Sequence, residues 1–432
     1  MKIFLNYGSG LELINHFILL KIDHYCRECG IQNLEVVLFP SDPKSETMAH
    51  ARYGQLRWVH VASFTEPTKP CELSVGVGSY VASMGNLLSF ADRNISSDHF
   101  YGGLATWEVI TRFAQFASWI ESEGGVYISE PLTDILSVLV REVSFRSPNT
   151  SVIFYHSPRL FPLPGRRPFV LSTGKDETDL ILPVPRSTQE AELSELALKH
   201  TVKCLEEGAT SHSIYADLGA RVSTNSSLRF QKRGFTVLYP LHYFPESSSL
   251  GSGLGCWNNL WIIEMISRSI PSRVELIVKP HFMKDDVQSD VLKVVSRLPG
   301  VRIIPAEAKL TNALEITDCL ITWSSSAGME AIFRNINVIY FSNFSIYNKI
   351  DGCFHFDPTK LSITQLTEIL SYFMMDQQRP ADFICQRGVD RKESLMVELR
   401  KQSDYSYFIN EDERFPFSFR IADAVVASAF SR

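Results

Sequence analysis

The stretch Leu314–Phe341 reads LEITDCLITWSSSAGMEAIFRNINVIYF, and it decides the fold class. Its apolar run Cys319–Trp323 predicts a strand that is covered on both faces, and Val338–Phe341 predicts a second such strand. A serine triplet lies between them and leads directly into a helical pattern at Ala327–Arg334. A strand, a polar loop, a helix and another strand in this order are typical of a parallel α/β sheet.

The same alternation extends over the rest of the second half of the chain. It predicts strands at Phe235–Tyr239, Val274–Lys279 and Val301–Ile304, and helices at Trp257–Ser267 and Val287–Arg297. Together with Leu314–Phe341 these elements predict a Rossmann-like unit of roughly 140 residues.

The first half also alternates, with longer loops. It predicts strands at Ile3–Leu5, Val36–Phe39, Val126–Ile128 and Val152–Tyr155, and helices at Leu11–Cys26, Trp107–Ile120, Leu132–Val143 and Ser187–Glu206. We therefore predict an α/β protein with Rossmann-like domains at residues 1–220 and 221–375. After Phe341 we expect no further strand, and residues 376–432 are predicted to be a helical segment that packs back on the N-terminal domain.

Composition excludes several classes of protein. The chain has 432 residues and a formal net charge of −6, which is slight and of the wrong sign for a nucleic-acid binder. No apolar run approaches the ~20 residues of a membrane span. In the first residues, MKIFLNYGSG, the apolar run is too short for the hydrophobic region of a secretory signal, so we expect a cytoplasmic protein. Cys26 and Cys29 form the single C-x-x-C pair and are interpreted as helix residues, so we expect neither a metal site nor a cofactor.

Three polar segments follow predicted strands of the second domain, at the sheet edge where ligands bind in parallel sheets. The first carries His242 and Glu246, the second carries Lys279 and His281, and the third is Ser324–Glu330. Because the carboxyl ends of parallel strands share one edge, we expect the three segments to meet at one cleft.

The third segment favours an anion. Helix N-termini offer unbonded backbone N–H groups and a partial positive charge, and the hydroxyls of Ser324, Ser325 and Ser326 add donors. Gly328 is expected to let the backbone approach a ligand closely, and Glu330 to accept hydrogen bonds from ribose hydroxyls. The alternative is an ordinary helix start, in which Ser326 caps the helix and the negative charge of Glu330 interacts favourably with the helix dipole.

The two other segments bear protonatable side chains. His281, next to Lys279, is expected to neutralise the same phosphate or to protonate a leaving oxygen. His242 and Glu246 lie four residues apart on a loop bounded by prolines. Taken singly, His281 is more typical of a structural histidine, and His242 with Glu246 of a solvated turn. Three anion-compatible loops after successive strands favour the functional interpretation.

At these motifs the chain resembles a known family. PLHYFPESSS at 240–249, VELIVKPHF at 274–282 and the stretch Leu314–Phe341 resemble, in order and spacing, the C-terminal domain of the bacterial capsule polysaccharide biosynthesis glycosyltransferases, which include β-Kdo transferases and are related in design to bacterial sialyltransferases. The resemblance implies a GT-B fold, in which two Rossmann-like domains face a nucleotide cleft. It also implies metal-independent sugar transfer from a CMP-linked donor.

The resemblance also implies roles for individual residues. His281 and Ser324–Ser326 match the motifs at the donor phosphate, and Glu330-Ala331 matches the pair that opens the helix beneath the nucleotide. Two positions depart from the pattern. Phe282 follows the motif histidine where the family usually has proline, and Asn335-Ile336-Asn337 replaces a Gly-Lys-Pro turn.

The first half offers weaker candidates. Glu130, at the end of a predicted strand, is the best carboxylate for a base or nucleophile, with a helix-start acid as the alternative. Glu246 is the second candidate. Arg159, Arg166 and Arg167 are expected in a proline-rich loop, where they meet an anionic substrate or only solvent.

The resulting hypothesis is a cytoplasmic glycosyltransferase that moves Kdo or a related acidic sugar from a CMP-activated donor to a surface-polysaccharide or lipid-linked glycan acceptor. Membrane association is expected only through partner proteins. The alternatives are a UDP-sugar-dependent transferase, a sugar-nucleotide epimerase on the same fold, and a non-catalytic carbohydrate-binding scaffold.

Overall fold

The structure is a computed structural model of the chain. It describes residues 2–7, 12–31, 33–64, 73–74, 77, 106–129, 135–156, 158–161, 163, 166–173, 178–181, 188–208, 228–242, 259–271, 273–281, 286–342, 344–356, 363–377, 390–410, 422, 424–427 and 429–430. These residues form two compact units. The first comprises Met1–Pro158, Pro164–Leu193 and Tyr405–Arg432, and the second comprises Arg159–Leu163 and Ser194–Asp404.

The first unit contains a seven-stranded sheet with the order β13-β6-β5-β4-β1-β2-β3. The strands β1 to β5 are parallel, and at one edge β6 pairs antiparallel with β5 and β13 pairs antiparallel with β6. Its strands are β1 Lys2–Tyr7, β2 Glu35–Pro40, β3 Val59–Val61, β4 Gly125–Ser129, β5 Thr150–His156, β6 Arg166–Ser172 and β13 Tyr407–Asn410. Its helices are α1 Glu12–Cys29, α2 Pro43–Tyr53, α3 Thr106–Glu123 and α4 Ile135–Arg146, and α5 Thr188–Glu207 leads into the second unit.

The second unit contains a six-stranded sheet with the order β12-β11-β10-β7-β8-β9, and all its strands are parallel. Its strands are β7 Phe235–Pro240, β8 Val274–Lys279, β9 Val301–Ile303, β10 Cys319–Thr322, β11 Asn337–Tyr340 and β12 Cys353–His355. Its helices are α6 Asn259–Ser269, α7 Asp286–Val295, α8 Leu310–Leu314, α9 Ala327–Phe333, α10 Ile363–Gln377 and α11 Arg391–Asp404, and a 3₁₀ turn spans Ile346–Lys349. From β7 the chain adds strands in one direction and then, from β10, in the other, which is the strand order of dinucleotide-binding sheets.

The core of the second unit explains the apolar runs in its sequence. Alternate residues of β7, β8 and β10, among them Val237, Leu276 and Ile321, pack against Ile263 of α6 and Leu370 of α10. Each of these five side chains is fully buried. The continuous apolar runs arise because central parallel strands are covered on both faces.

The expected α/β class with two Rossmann-like units is confirmed, and the central strands lie where the sequence places them. The expectation of no strand after Phe341 is wrong, because Cys353–His355 and Tyr407–Asn410 are strands. The tail is therefore not purely helical. Tyr407 pairs with Phe169, and the two rings stack with centroids 4.9 Å apart.

The described residues contain no helix that is both long and apolar enough to cross a membrane.

Candidate functional site

The candidate site lies at the carboxyl edge of the six-stranded sheet. The strand order reverses between β7 and β10, and ligands bind beside such a reversal in open α/β sheets. His242 follows β7, Lys279 ends β8, and Ser324–Ser326, which we call the serine loop, come after β10. The structure thus brings the described parts of the three polar segments to one edge of one sheet, within the second unit.

His242 is held against the start of the serine loop. Its Nε2 accepts a hydrogen bond of 3.3 Å from the backbone N–H of Trp323 and lies 3.4 Å from Oγ1 of Thr322. A nitrogen that accepts from an amide carries no proton. Burial lowers the pKa of His242 to about 3, helped by the neighbouring His281 and Arg159. The ring is therefore neutral at pH 7.

Two residues that sequence reasoning missed fix the main chain at His242. Asn259 Nδ2 donates to the carbonyl of His242 at 3.3 Å, and Asn259 Oδ1 accepts from the hydroxyl of Tyr239 at 2.9 Å. Tyr239 is fully buried in β7. An asparagine at the first position of a helix gave no signal, because its partners are 17 and 20 residues away in sequence.

Lys279 is a partly buried cation at the end of β8. Its Nζ donates to the carbonyls of Pro280 at 3.2 Å and Ala306 at 3.4 Å. Burial lowers the pKa of Lys279 to about 8, against the opposing effect of the carboxylates of Glu330 and Glu307. Lys279 is thus protonated at neutral pH.

His281 lies two residues further on and is partly buried. Burial lowers its pKa to about 4, and the charge of Lys279 acts in the same direction. An anion that binds beside this ring stabilises its protonated form and therefore raises its lowered pKa. The geometry is compatible with either role that the sequence predicts for His281.

The serine loop is ordered by hydrogen bonds to its own neighbours. The backbone N–H of Ser325 donates to Thr322 Oγ1, and Ser325 Oγ accepts from the backbone N–H of Ala327, both at 3.3 Å. The side chain of Ser326 makes no capping hydrogen bond, so the capping role we considered for Ser326 belongs to Ser325. Ser324 is buried, and Ser325 and Ser326 are partly exposed.

Gly328 meets a side chain of the protein itself. A Cβ at Gly328 would lie 2.6 Å from Cζ of Tyr347 and closer still to its hydroxyl. That hydroxyl donates to the carbonyl of Ser325. We expected the missing side chain to make room for a ligand. Instead the space is filled by Tyr347, which supports the serine loop from within.

Gly328→Ala is expected to lower the free energy of unfolding by about 1–3 kcal/mol, the usual effect of overfilling a packed interior. Tyr347 is fully buried and has little room to move away. Urea unfolding measures the change. In a Tyr347→Ala background the same substitution should have little further effect, and an equal loss in both backgrounds would exclude the contact as its cause.

Glu330 lies inside the second unit. It is fully buried, its Oε2 is 4.0 Å from Nη1 of Arg334, and its charge acts on Lys279. The sequence led us to expect a carboxylate that faces ribose hydroxyls. In the structure it faces two cations of the protein, so it balances the basic site.

Arg159 belongs to the second unit although it precedes most of that unit in sequence. Its backbone N–H donates to Oε1 of the fully buried Gln402 at 2.6 Å, and Phe161 N–H donates to Thr201 Oγ1 at 2.9 Å. These bonds fix a five-residue segment in this unit. The positive charge of Arg159 acts on His242, so Arg159 joins the same cluster.

The remaining candidates lie elsewhere. Arg166 is the first residue of β6 in the first unit and pairs with Asn410, so it is part of a strand and not of a loop. Glu130 and Glu246 lie outside the described residues. Cys26 and Cys29 are free thiols on α1. Within the described part of the chain, no group of three or more His, Cys, Asp or Glu side chains is arranged to hold a metal ion.

The site is a cluster of groups that carry or can take up positive charge. The positive charges of Arg159 and His281 disfavour the protonated form of His242, and that of Lys279 disfavours the protonated form of His281. A bound anion offsets these effects, because it stabilises the charge of Lys279 and Arg159 and favours protonation of His281. The arrangement is therefore suited to bind a phosphate.

The pH dependence of phosphate binding is expected to follow Lys279. A bound phosphate stabilises its protonated form, so affinity is fully present below the free pKa of about 8 and falls as pH rises above it. Calorimetric titration with CMP should show weaker binding at about pH 9.5 than at about pH 7.5, by up to about tenfold per pH unit. Lys279→Arg stays protonated and should abolish this fall. An equal fall in that variant would exclude Lys279 as its source.

No protein-family model matches the chain, and no curated protein matches its sequence. Among solved structures, Alr3699/HepE of Anabaena in complex with UDP and glucose is 12% identical, with a TM-score of 0.35, over 99% of this chain and 100% of that one. A glycosyltransferase of Rickettsia africae ESF-5 is 11% identical, with a TM-score of 0.32, over 99% and 98%. The β-Kdo 2,4 transferase KpsC of Thermosulfurimonas dismutans is 14% identical, with a TM-score of 0.31, over 56% and 77%. Similarities at these TM-scores are too low to assign a function.

Proposed function

We propose that this chain is a GT-B glycosyltransferase whose second unit binds a nucleotide-activated sugar. One observation carries the proposal. Basic side chains from separate segments, Lys279, His281 and Arg159, converge with the serine loop at the strand-order reversal of a Rossmann-like sheet. This is the position and the chemistry that a donor phosphate requires.

In the proposed reaction the bond between sugar and phosphate breaks, and negative charge develops on the phosphate oxygen. His281, Lys279 and the hydroxyls of Ser324–Ser326 stabilise that charge, since they are fixed in place before the reaction. His281 takes up a proton as the anion binds and can pass it to the departing oxygen. In this proposal Glu130 or Glu246 either takes the proton from the acceptor hydroxyl as its oxygen bonds to the anomeric carbon, or first bonds to that carbon itself as a nucleophile that the acceptor oxygen then displaces.

For the donor we propose a CMP-activated acidic sugar such as Kdo. A CMP-linked donor has one phosphate, and an acidic sugar adds a carboxylate. Arg159 supports this choice, because a guanidinium binds a carboxylate with two parallel hydrogen bonds. The acceptor is a surface polysaccharide or lipid-linked glycan, and the enzyme works in the cytoplasm, at the membrane only through partner proteins.

The test is to incubate the purified chain with CMP-Kdo or UDP-glucose, each with and without a glycan acceptor, and to separate the products by mass spectrometry. Acceptor-dependent transfer from CMP-Kdo supports the proposal. Transfer from UDP-glucose and not from CMP-Kdo would show that the donor is a UDP-linked sugar. Conversion of a sugar nucleotide without acceptor favours an epimerase, and binding without any turnover favours a carbohydrate-binding scaffold.

A further inference from the structure

A single glutamine holds both backbone polar groups of His281. Gln288 Oε1 accepts from the backbone N–H of His281 at 2.6 Å, and Gln288 Nε2 donates to the carbonyl of the same residue at 3.2 Å. Gln288 lies in the first turn of α7, and only 8% of its surface is exposed. Among the protein's side chains, only an amide offers a donor and an acceptor in this geometry at every pH.

Two bonds to one residue fix its orientation more strictly than one bond does. The N–H and the C=O of His281 belong to successive peptide groups, so the clamp restrains both backbone dihedral angles of His281. Phe282 adds no such restraint, whereas a proline would fix its own φ and restrict the residue before it. The side chain of Gln288 thus supplies a rigidity that the sequence after His281 does not.

The position of the clamp relates it to the site. His281 is separated from the end of β8 by Pro280 alone, and Lys279 bonds to the carbonyl of Pro280. Gln288 therefore acts on the main chain of His281, directly after the residue whose carbonyl Lys279 holds. We propose that Gln288 is a positioning residue that holds the His281 imidazole toward the bound phosphate. This inference rests on the proposed function for its ligand but not for its geometry.

The first test needs no ligand. In protein labelled with ¹³C-histidine, NMR titration should place the wild-type His281 midpoint near its lowered pKa of about 4. Gln288→Met retains the length of the side chain and loses both hydrogen bonds. The ring is then expected to move toward water and to titrate closer to the ordinary value of about 6.5.

The second test measures affinity for CMP by calorimetry. Gln288→Met should bind about tenfold more weakly than wild type, comparable to the loss of one directed hydrogen bond to a charged group. In a His281→Ala background the same substitution should have no further effect, since Gln288 acts only through His281. Gln365→Met, the same change on an exposed surface of α10, is the matched control and should bind normally.

Unchanged titration of His281 in Gln288→Met, or an equal loss of CMP affinity with and without His281, would overturn the inference. If Gln288→Met does not fold, Gln288→Asn keeps the amide but is one methylene too short and serves in both tests. If wild type binds no nucleotide, the proposed function fails, and the titration still decides the role of Gln288.

Discussion

Sugar transfer by the His281→Ala variant is expected to be about 100-fold slower than by the wild-type chain, the usual effect of removing one preorganised group that stabilises developing charge. Three features single out His281. It follows β8 at the ligand-binding edge of the sheet, its main chain is clamped by Gln288, and its ring lies in the field of Lys279. A group that acts on the leaving phosphate should lower kcat more than it raises KM.

Initial rates at several donor concentrations measure this effect. His24→Ala is the matched control, since His24 lies on α1 of the first unit and its side chain is 64% exposed. It should transfer sugar at the wild-type rate. A normal kcat in His281→Ala would exclude a catalytic role for His281. Lys279 and the serine loop would then stabilise the leaving phosphate without it.

Removal of Arg334 is expected to give the largest loss of stability. Arg334 neutralises the fully buried Glu330 and also donates to the carbonyls of Leu205 at 3.2 Å and Glu206 at 3.5 Å, at the C-terminus of α5. Arg334→Ala removes one of the cations near the buried carboxylate of Glu330. It also removes the hydrogen bonds that cap the C-terminus of α5. Because breaking a buried pair from one side costs about 3–5 kcal/mol and Arg334 itself is 24% exposed, we expect a loss of about 3 kcal/mol.

A double variant separates the two causes. Glu330→Gln has nearly the same shape and no charge, so Arg334→Ala combined with Glu330→Gln should be more stable than Arg334→Ala alone. Urea unfolding of the wild type and the three variants measures the difference. If the double variant is as unstable as Arg334→Ala, the loss arises from the helix cap and not from the charge of Glu330.

The fold of the second unit was largely predictable because its information is local. Central parallel strands are continuous apolar runs, so Val274–Lys279 is found with its correct ends. The missed strands depend on distant partners. Tyr407–Asn410 is a strand because it pairs with Arg166–Ser172, about 240 residues away, and its own sequence YFIN is too short to show a period.

The site was predictable in its residue types and only partly in its geometry. The position of His242, Lys279 and the serine loop follows from the rule that ligands bind at the carboxyl ends of parallel strands. Whether Glu330 and Gly328 face a ligand or the protein interior depends on Arg334, Lys279 and Tyr347. Such contacts are tertiary, and a single sequence carries no periodic signal for them.

Arg159 shows the same limit at the level of domains. The stretches before and after Arg159–Leu163 belong to the first unit, yet Gln402 and Thr201 hold this segment in the second. A side chain amide 243 residues away decides its place. The order of predicted strands and helices places one boundary near residue 220 and carries no signal for the segment Arg159–Leu163.

A thermal-shift panel tests whether the basic side chains of the second unit, Arg159, Lys279 and His281, bind the phosphate of a nucleotide donor. CMP, UDP, GDP and CMP-Kdo are added to wild type and to His281→Ala, and a ligand of the native state raises the unfolding midpoint by mass action. We predict a rise with CMP and CMP-Kdo in wild type that is lost in His281→Ala. No rise with any nucleotide, or a rise that His281→Ala retains in full, would contradict the account.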